Sequence, residues 1–272
     1  MLTPDLTRDQ IVFRRTNTHK GRHLSVTPAN SATRHLSYGR IILDPDVPSV
    51  SFDAGGDEVG LVCFNGSATV ATGGSVFSLG RYDALYIPRD QTIEISTSSQ
   101  VDIVECRAPV EGHYPLRFVP YAEVKADPGL HFRAGGPATT RTLNVLLGKN
   151  IEAGRLMAGV TWSEPGNWTS WPPHEHAALA EELYVYYDMP PEAFAIQMVY
   201  TDKMEPERVE VVHDGDVVVM PAGFHPNVSI PGHAVSFMWI MAAHRETEDR
   251  KFGVVNVHPD FAQASSGLDK GR

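Results

Sequence analysis

Apolar positions along the chain fall into short runs, many alternating or β-branched, with turn residues between them. Val59 to Phe64 runs into Asn65-Gly66, a strong hairpin signal. Ser67 to Ala71 leads through Gly73-Gly74 into Ser75 to Leu79, and Asp83 to Ile87 stops at Pro88. Further on, Leu143 to Leu147, Leu156 to Trp162, Leu183 to Tyr187, Phe194 to Tyr200, Val209 to His213, Asp216 to Met220 and Val235 to Met241 all read as strands. Helical periodicity is nearly absent; only Pro206 to Glu210 and Glu246 to Lys251 offer room for single turns. Many short strands at this spacing predict a sandwich or barrel.

The strand pattern repeats once. Asp83-Ala84-Leu85-Tyr86-Ile87-Pro88 aligns with Asp216-Val217-Val218-Val219-Met220-Pro221, and Gly80 and Gly215 precede the two aspartates. A glycine-aspartate turn, a strand and a proline form the second half of a cupin, a small double-stranded β-helix. The expected fold is therefore all-β, a bicupin of two tandem jelly-roll domains. The boundary falls in Ala126 to Pro137, giving residues 1–130 and 131–272. The copies differ where chemistry would occur, because Thr92 stands where the second copy has His225. A metal, if bound, belongs to the second domain.

Composition narrows the class. At 272 residues and 42% hydrophobic the chain can bury a core, and 23 Gly with 20 Pro suit many turns. A net charge of −10 argues against a nucleic-acid or anionic-membrane partner. Cys63 and Cys106 lie far apart in apolar runs, so no thiolate site is expected. No secretory h-region opens the sequence, and no apolar run approaches the roughly 18 residues of a spanning helix. The expectation is a soluble, cytoplasmic protein.

The chemistry concentrates in Pro172-Pro173-His174-Glu175-His176, then Glu181-Glu182, then Pro221-Ala222-Gly223-Phe224-His225. Two histidines two apart on a strand share a face. Three imidazoles and one carboxylate suit a divalent ion, with positions left for substrate. Zn and Mn lead that set, and Fe, Ni and Co are compatible with it. Along Glu182 to Tyr186 one face carries Glu182, Tyr184 and Tyr186, the other Leu183 and Val185. The polar, aromatic face suits a cavity, so Glu182 is preferred to Glu181 as ligand.

These residues resemble the 5-deoxyglucuronate isomerases of myo-inositol breakdown. The resemblance rests on Gly166 to His176, Glu181 to Tyr186, Phe194 to Asp202, and Asp214 to Pro226. More distantly, Arg141-Thr142-Leu143-Asn144 and the acid-hydrophobe-Tyr pattern at Glu182 to Tyr184 are similar to the ketol-isomerases of pectin breakdown. The resemblance implies a two-cupin fold with one metal per chain, held by His174, His176, Glu182 and His225. It implies an aldose–ketose isomerase converting 5-deoxy-D-glucuronate to 5-dehydro-2-deoxy-D-gluconate. Two departures, Glu175 between the histidines and Ala177 after them, fall near the expected cavity mouth, as does the ending from Met241 onward.

Isomerisation needs a base and a shuttle for the oxygen proton. Glu181 is a candidate base, with a metal-bound hydroxide as the alternative, and the Tyr184 phenol is the candidate shuttle. Arg141 and Asn144 are expected to anchor the sugar carboxylate, and Gln197 to bind hydroxyls. The rival readings are a metal-dependent cupin oxygenase and a non-catalytic sugar-binding bicupin. A small-molecule sugar acid is the expected partner; association into a homo-oligomer rests only on analogy with other bicupins.

Overall fold

A computed structural model describes residues 7–201 and 206–263; Asp202, part of the motif singled out above, lies outside the described residues. The first half contains β1 (Val12–Phe13), β2 (Gly21–Val26), β3 (Ser37–Leu43), β4 (Ser49–Asp53), β5 (Asp57–Gly66) and β6 (Ala68–Thr72). It continues with β7 (Ser75–Leu79), β8 (Ala84–Ile87), β9 (Thr92–Ser96), β10 (Val101–Pro109), β11 (Arg117–Val119) and the helix α1 (Tyr121–Ala126). The second half contains β12 (His131–Ala134), β13 (Arg141–Leu147), β14 (Leu156–Ser163), β15 (Trp168–Thr169), β16 (His174–Glu175) and β17 (Ala180–Tyr186). After these come β18 (Ala195–Tyr200), β19 (Pro206–Val212), β20 (Val217–Met220), β21 (Asn227–Ser229), β22 (Ser236–Ala243) and β23 (Asn256–Val257).

The strand order makes the repeat visible. The large sheet of the first half runs β11-β8-β5-β10-β3-β2, and that of the second runs β1-β20-β17-β22-β14-β13-β12. The small sheets are β4-β9-β6-β7 and β15-β21-β18-β19. Each large sheet thus has a matching small one, as two sandwiches of the double-stranded β-helix type require. The two aligned Gly-Asp segments become β8 and β20, each beside the long central strand of its sheet, β5 or β17.

One strand crosses the line at residue 130. β1 pairs antiparallel with β20, filling in the second half the edge that β11 fills in the first. Arg14 secures this arm by donating to Glu210 and Asp216, and Arg8 also pairs with Glu210. A continuous apolar core joins the halves, with Val62, Tyr86 and Val104 in the same cluster as Leu147, Met157 and Val160. Gly60 permits that approach: a Cβ there would stand 2.7 Å from both Leu147 Cδ1 and Cys106 Sγ. A second apolar cluster lies wholly within the first half, from Ile41 and Leu61 to Ile95 and Ile103.

Two local expectations are corrected. Pro206 to Glu210 is part of strand β19, because pairing along Ala195–Val212 outweighs a turn's worth of helix propensity. The six-residue helix α1 leaves no legible periodicity over so short a span.

Candidate metal centre

The short strand β16 and the turn after it carry His174 and His176, β17 carries Glu182, and the turn between β20 and β21 carries His225. All four side chains are buried. Each imidazole Nδ1 meets a backbone carbonyl: His174 that of Pro172 at 2.9 Å, His176 that of Ala180 at 3.2 Å, His225 that of Gly223 at 2.8 Å. A carbonyl only accepts, so each Nδ1 carries a proton and Nε2 is the nitrogen left to face the centre. Burial and the neighbouring His225 push the His174 pKa down to about 3, which keeps that ring neutral.

The Nε2 atoms of His176 and His225 lie 2.8 Å and 3.1 Å from the same Glu182 oxygen. His225 Nε2 has no hydrogen bond of acceptable geometry despite that short distance. Donor atoms of His176, Glu182 and His225 fall within 4.8 Å of one another. His174 stands one step outside, its ring centroid 5.1 Å from that of His225 and 6.5 Å from that of His176. Burial opposes charge on this pair, but the mutual attraction of His176 and Glu182 outweighs it, raising the first pKa and lowering the second. Two nitrogens and a carboxylate oxygen crowded together in a buried pocket, one nitrogen unsatisfied, fit a divalent cation.

The centre opens into a cavity of about 50 Å³. Arg141, Thr161, Ser170 and Tyr184 give it polar walls; Leu143, Phe237, Trp239 and Met241 give it an apolar one. The segment Phe252 to Val255 closes the remaining side. Arg141 donates to the carbonyls of Thr139 and Trp171, at 3.1 and 2.8 Å, and burial lowers its pKa to about 10, so it stays charged at neutral pH. The Tyr184 hydroxyl lies 2.6 Å from Ser170 Oγ, and burial drives its pKa well above the ordinary value. Ser170 adopts a left-handed backbone conformation with φ 50°. Its role was not legible in sequence, where nothing distinguishes it from any serine beside a tryptophan.

Three expected site residues face elsewhere. Glu181 points to the opposite side of β17 from Glu182, as strand alternation dictates, and its carboxylate accepts the N–H groups of Arg34, His35 and Leu36. It is not placed to act as the base. Asn144 is fully buried behind the site, its Oδ1 taken by Tyr121 and His131. Gln197 turns its amide to the carbonyls of Met198, His225 and Pro226, and its Oε1 accepts from Tyr186. These groups are satisfied by the protein and do not line the cavity. Glu175, one of the departures noted above, accepts from Asn256 and thereby ties the closing segment to the histidine loop.

Residues 11–261 match the KduI/IolB family. The 5-deoxy-glucuronate isomerase of Geobacillus kaustophilus (strain HTA426) is 32% identical over 166 residues, 58% of this chain and 58% of that protein. The match therefore spans less than two thirds of that relative's length. The 5-deoxy-glucuronate isomerase of Bacillus velezensis is 30% identical over 236 residues, 80% of this chain and 84% of that protein. Among solved structures, an IolB-like protein from Salmonella typhimurium LT2 superposes with TM-score 0.82 at 22% identity, covering 93% of this chain and 98% of that one. An oxalate decarboxylase of Bacillus subtilis with Mn(II) centres gives TM-score 0.63 at 16% identity, covering 86% of this chain and 77% of that one. Both likenesses bear out the bicupin fold. Among the described residues no helix is long and apolar enough to cross a membrane.

Proposed function

The chain belongs to the KduI/IolB family, and from that premise we propose that it is a metal-dependent aldose–ketose isomerase acting on a deoxy-uronate, 5-deoxy-D-glucuronate first. The observation that carries this reading is the set of three Nδ1–H groups locked to carbonyls, which turns the Nε2 atoms of His176 and His225 onto Glu182, with His174 alongside, at a cavity containing Arg141. His174, His176, Glu182 and His225 would hold the ion, with Mn(II) or Zn(II) the first choices. Residues 131–272 carry the site and residues 1–130 serve as scaffold, since the first half fills its own interior with aliphatic side chains.

A divalent ion held by these residues would supply Lewis-acid chemistry at the substrate carbonyl. The protein's own groups do the rest. Arg141, charged and held by two carbonyls, pairs with the sugar carboxylate. The Tyr184 phenol, kept neutral by burial, donates a hydrogen bond to a sugar oxygen while its own oxygen is held by Ser170 Oγ. Leu143, Phe237, Trp239 and Met241 keep water from the intermediate and suit the methylene of a deoxy sugar better than a hydroxyl. Neither the oxygenase reading nor the binding-module reading is favoured by the relatives named above.

The test is turnover of 5-deoxy-glucuronate by metal-loaded protein, with the ketose followed by NMR. His174→Ala and His225→Ala should abolish metal content and turnover while far-UV circular dichroism stays that of the parent. A parent protein that neither binds a divalent ion nor isomerises this or another deoxy-uronate would sink the proposal.

A further inference from the structure

Two buried carboxylates, Glu58 and Glu181, share one bonding pattern across the two halves. On β5, Glu58 Oε1 accepts the N–H groups of Arg155 and Leu156 at 2.6 and 2.7 Å, and Oε2 accepts that of Gly154 at 2.8 Å. On β17, Glu181 Oε1 accepts the N–H groups of His35 and Leu36 at 2.8 and 2.6 Å, and Oε2 accepts that of Arg34 at 2.6 Å. Each glutamate sits on the central strand of its half and grips three consecutive amides at the edge of a strand in the other half. Both are at most 1% exposed, so these charge-assisted bonds are shielded from water.

The consequences of the two grips differ. The interior side of β5 faces aliphatic side chains. The interior side of β17 presents Glu182 and Tyr184 to the cavity, one and three residues from Glu181. β17 also pairs with β20, which leads to the His225 turn, and with β22, which supplies Trp239 and Met241. Movement of β17 along its axis therefore displaces several walls of the site together.

We propose that Glu181 is a positioning residue: by grasping the amides of residues 34–36, it lets the first half set the height at which Glu182 meets the histidines. The inference rests on the metal-site reading given above. It assigns the metal-free half a part in the chemistry that a passive scaffold lacks. The grip acts through geometry, because the carboxylate touches neither the ion's donors nor the cavity.

The matched pair of glutamates supplies its own control. Glu181→Gln and Glu58→Gln each replace one acceptor oxygen by an NH₂ that confronts a backbone N–H, so both variants should lose thermal stability, Glu58→Gln at least as much because its carboxylate also accepts the Tyr86 hydroxyl. Metal-free protein is titrated with Mn(II), and the free ion is read by electron paramagnetic resonance. Mn(II) affinity should fall roughly tenfold or more in Glu181→Gln, as loss of support behind a ligand generally costs, and hold steady in Glu58→Gln. The fine structure of bound Mn(II) should change only in Glu181→Gln. Equal weakening in both variants, or none in Glu181→Gln, overturns the proposal. If Glu181→Gln does not fold, Glu181→Asp decides: it keeps the charge but draws β17 toward residues 34–36, and unaltered Mn(II) affinity there is equally fatal. Failure of the parent protein to bind Mn(II) or Zn(II) would remove the metal-site reading and this inference with it, whereas tight parent binding matched by Glu181→Gln removes the positioning role alone.

Discussion

Gln197 holds the turn on which His225 stands, donating to the His225 carbonyl at 3.0 Å and the Pro226 carbonyl at 3.3 Å. Replacing it by Ala removes a donor from these carbonyls and an acceptor from the Tyr186 hydroxyl. Gln197→Ala should cost about 1–3 kcal/mol of stability in denaturant unfolding. It should also weaken metal affinity by roughly 10–100-fold in a direct titration. Arg141 calls for a different test, because it points into the cavity. Arg141→Lys keeps the charge and loses the planar fork, so KM for the uronate should rise roughly tenfold while kcat changes less. A fall in kcat at constant KM would show that Arg141 does not anchor the ground-state carboxylate. Arg141, Asn144 and Gln197 were equally plausible as ligand-binding groups in sequence. Only the fold separates them: the amides of Asn144 and Gln197 are consumed by the protein, whereas Arg141 also lines the cavity.

At the scale of elements, β17 is where the alternation of the sequence carries most meaning. Glu182, Tyr184 and Tyr186 face inward and Glu181, Leu183 and Val185 outward, so the choice of Glu182 over Glu181 as the inward acid was readable from period two alone. The closing segment was not readable in this way. Phe252 stacks on Trp239 with ring centroids 4.8 Å apart, and β23 pairs with β16 through Val257 with His174 and Asn256 with Glu175. A two-residue ladder is a weak attachment beside β22, which is bonded on both sides. The cavity of about 50 Å³ is far smaller than the ~300 Å³ at the low end of ligand pockets, so the proposed sugar acid would have to displace this segment to enter. Amides of residues 252–257 should exchange with deuterium faster than those of β22, and slow when the uronate binds. Uniform protection across both elements would argue for another route into the site.

For the whole molecule, the junction between halves is both apolar and ionic. Glu246 accepts the N–H groups of Glu111 at 2.7 Å and Gly112 at 3.1 Å and the Tyr114 hydroxyl at 3.0 Å, linking the end of the first half's large sheet to the second half. Burial alone would raise its pKa, but these donors outweigh burial and hold it below the ordinary value. A carboxylate with a depressed folded pKa contributes stability above the unfolded value of about 4.3, and that contribution is lost as pH falls through the folded pKa. The melting temperature of the parent should therefore drop more steeply below about pH 4.3 than that of Glu246→Gln, measured by scanning calorimetry. Parallel pH profiles would mean that this contact carries no net weight.

The sequence by itself determined the all-β class, the duplication, the half that carries the donors, and the inward face of β17. Those features are written in local periodicity, which a strand's geometry converts directly into direction, and in the sequence positions of His174, His176, Glu182 and His225. Tertiary structure alone decided that Glu181 grips the other half, that Asn144 and Gln197 serve the protein's own backbone, that Ser170 backs Tyr184, and that residues 12–13 complete the distant sheet. Each of these depends on a partner far away in sequence. No local pattern encodes such a partner, because a buried hydrogen bond is satisfied by whichever backbone the folded chain brings within reach.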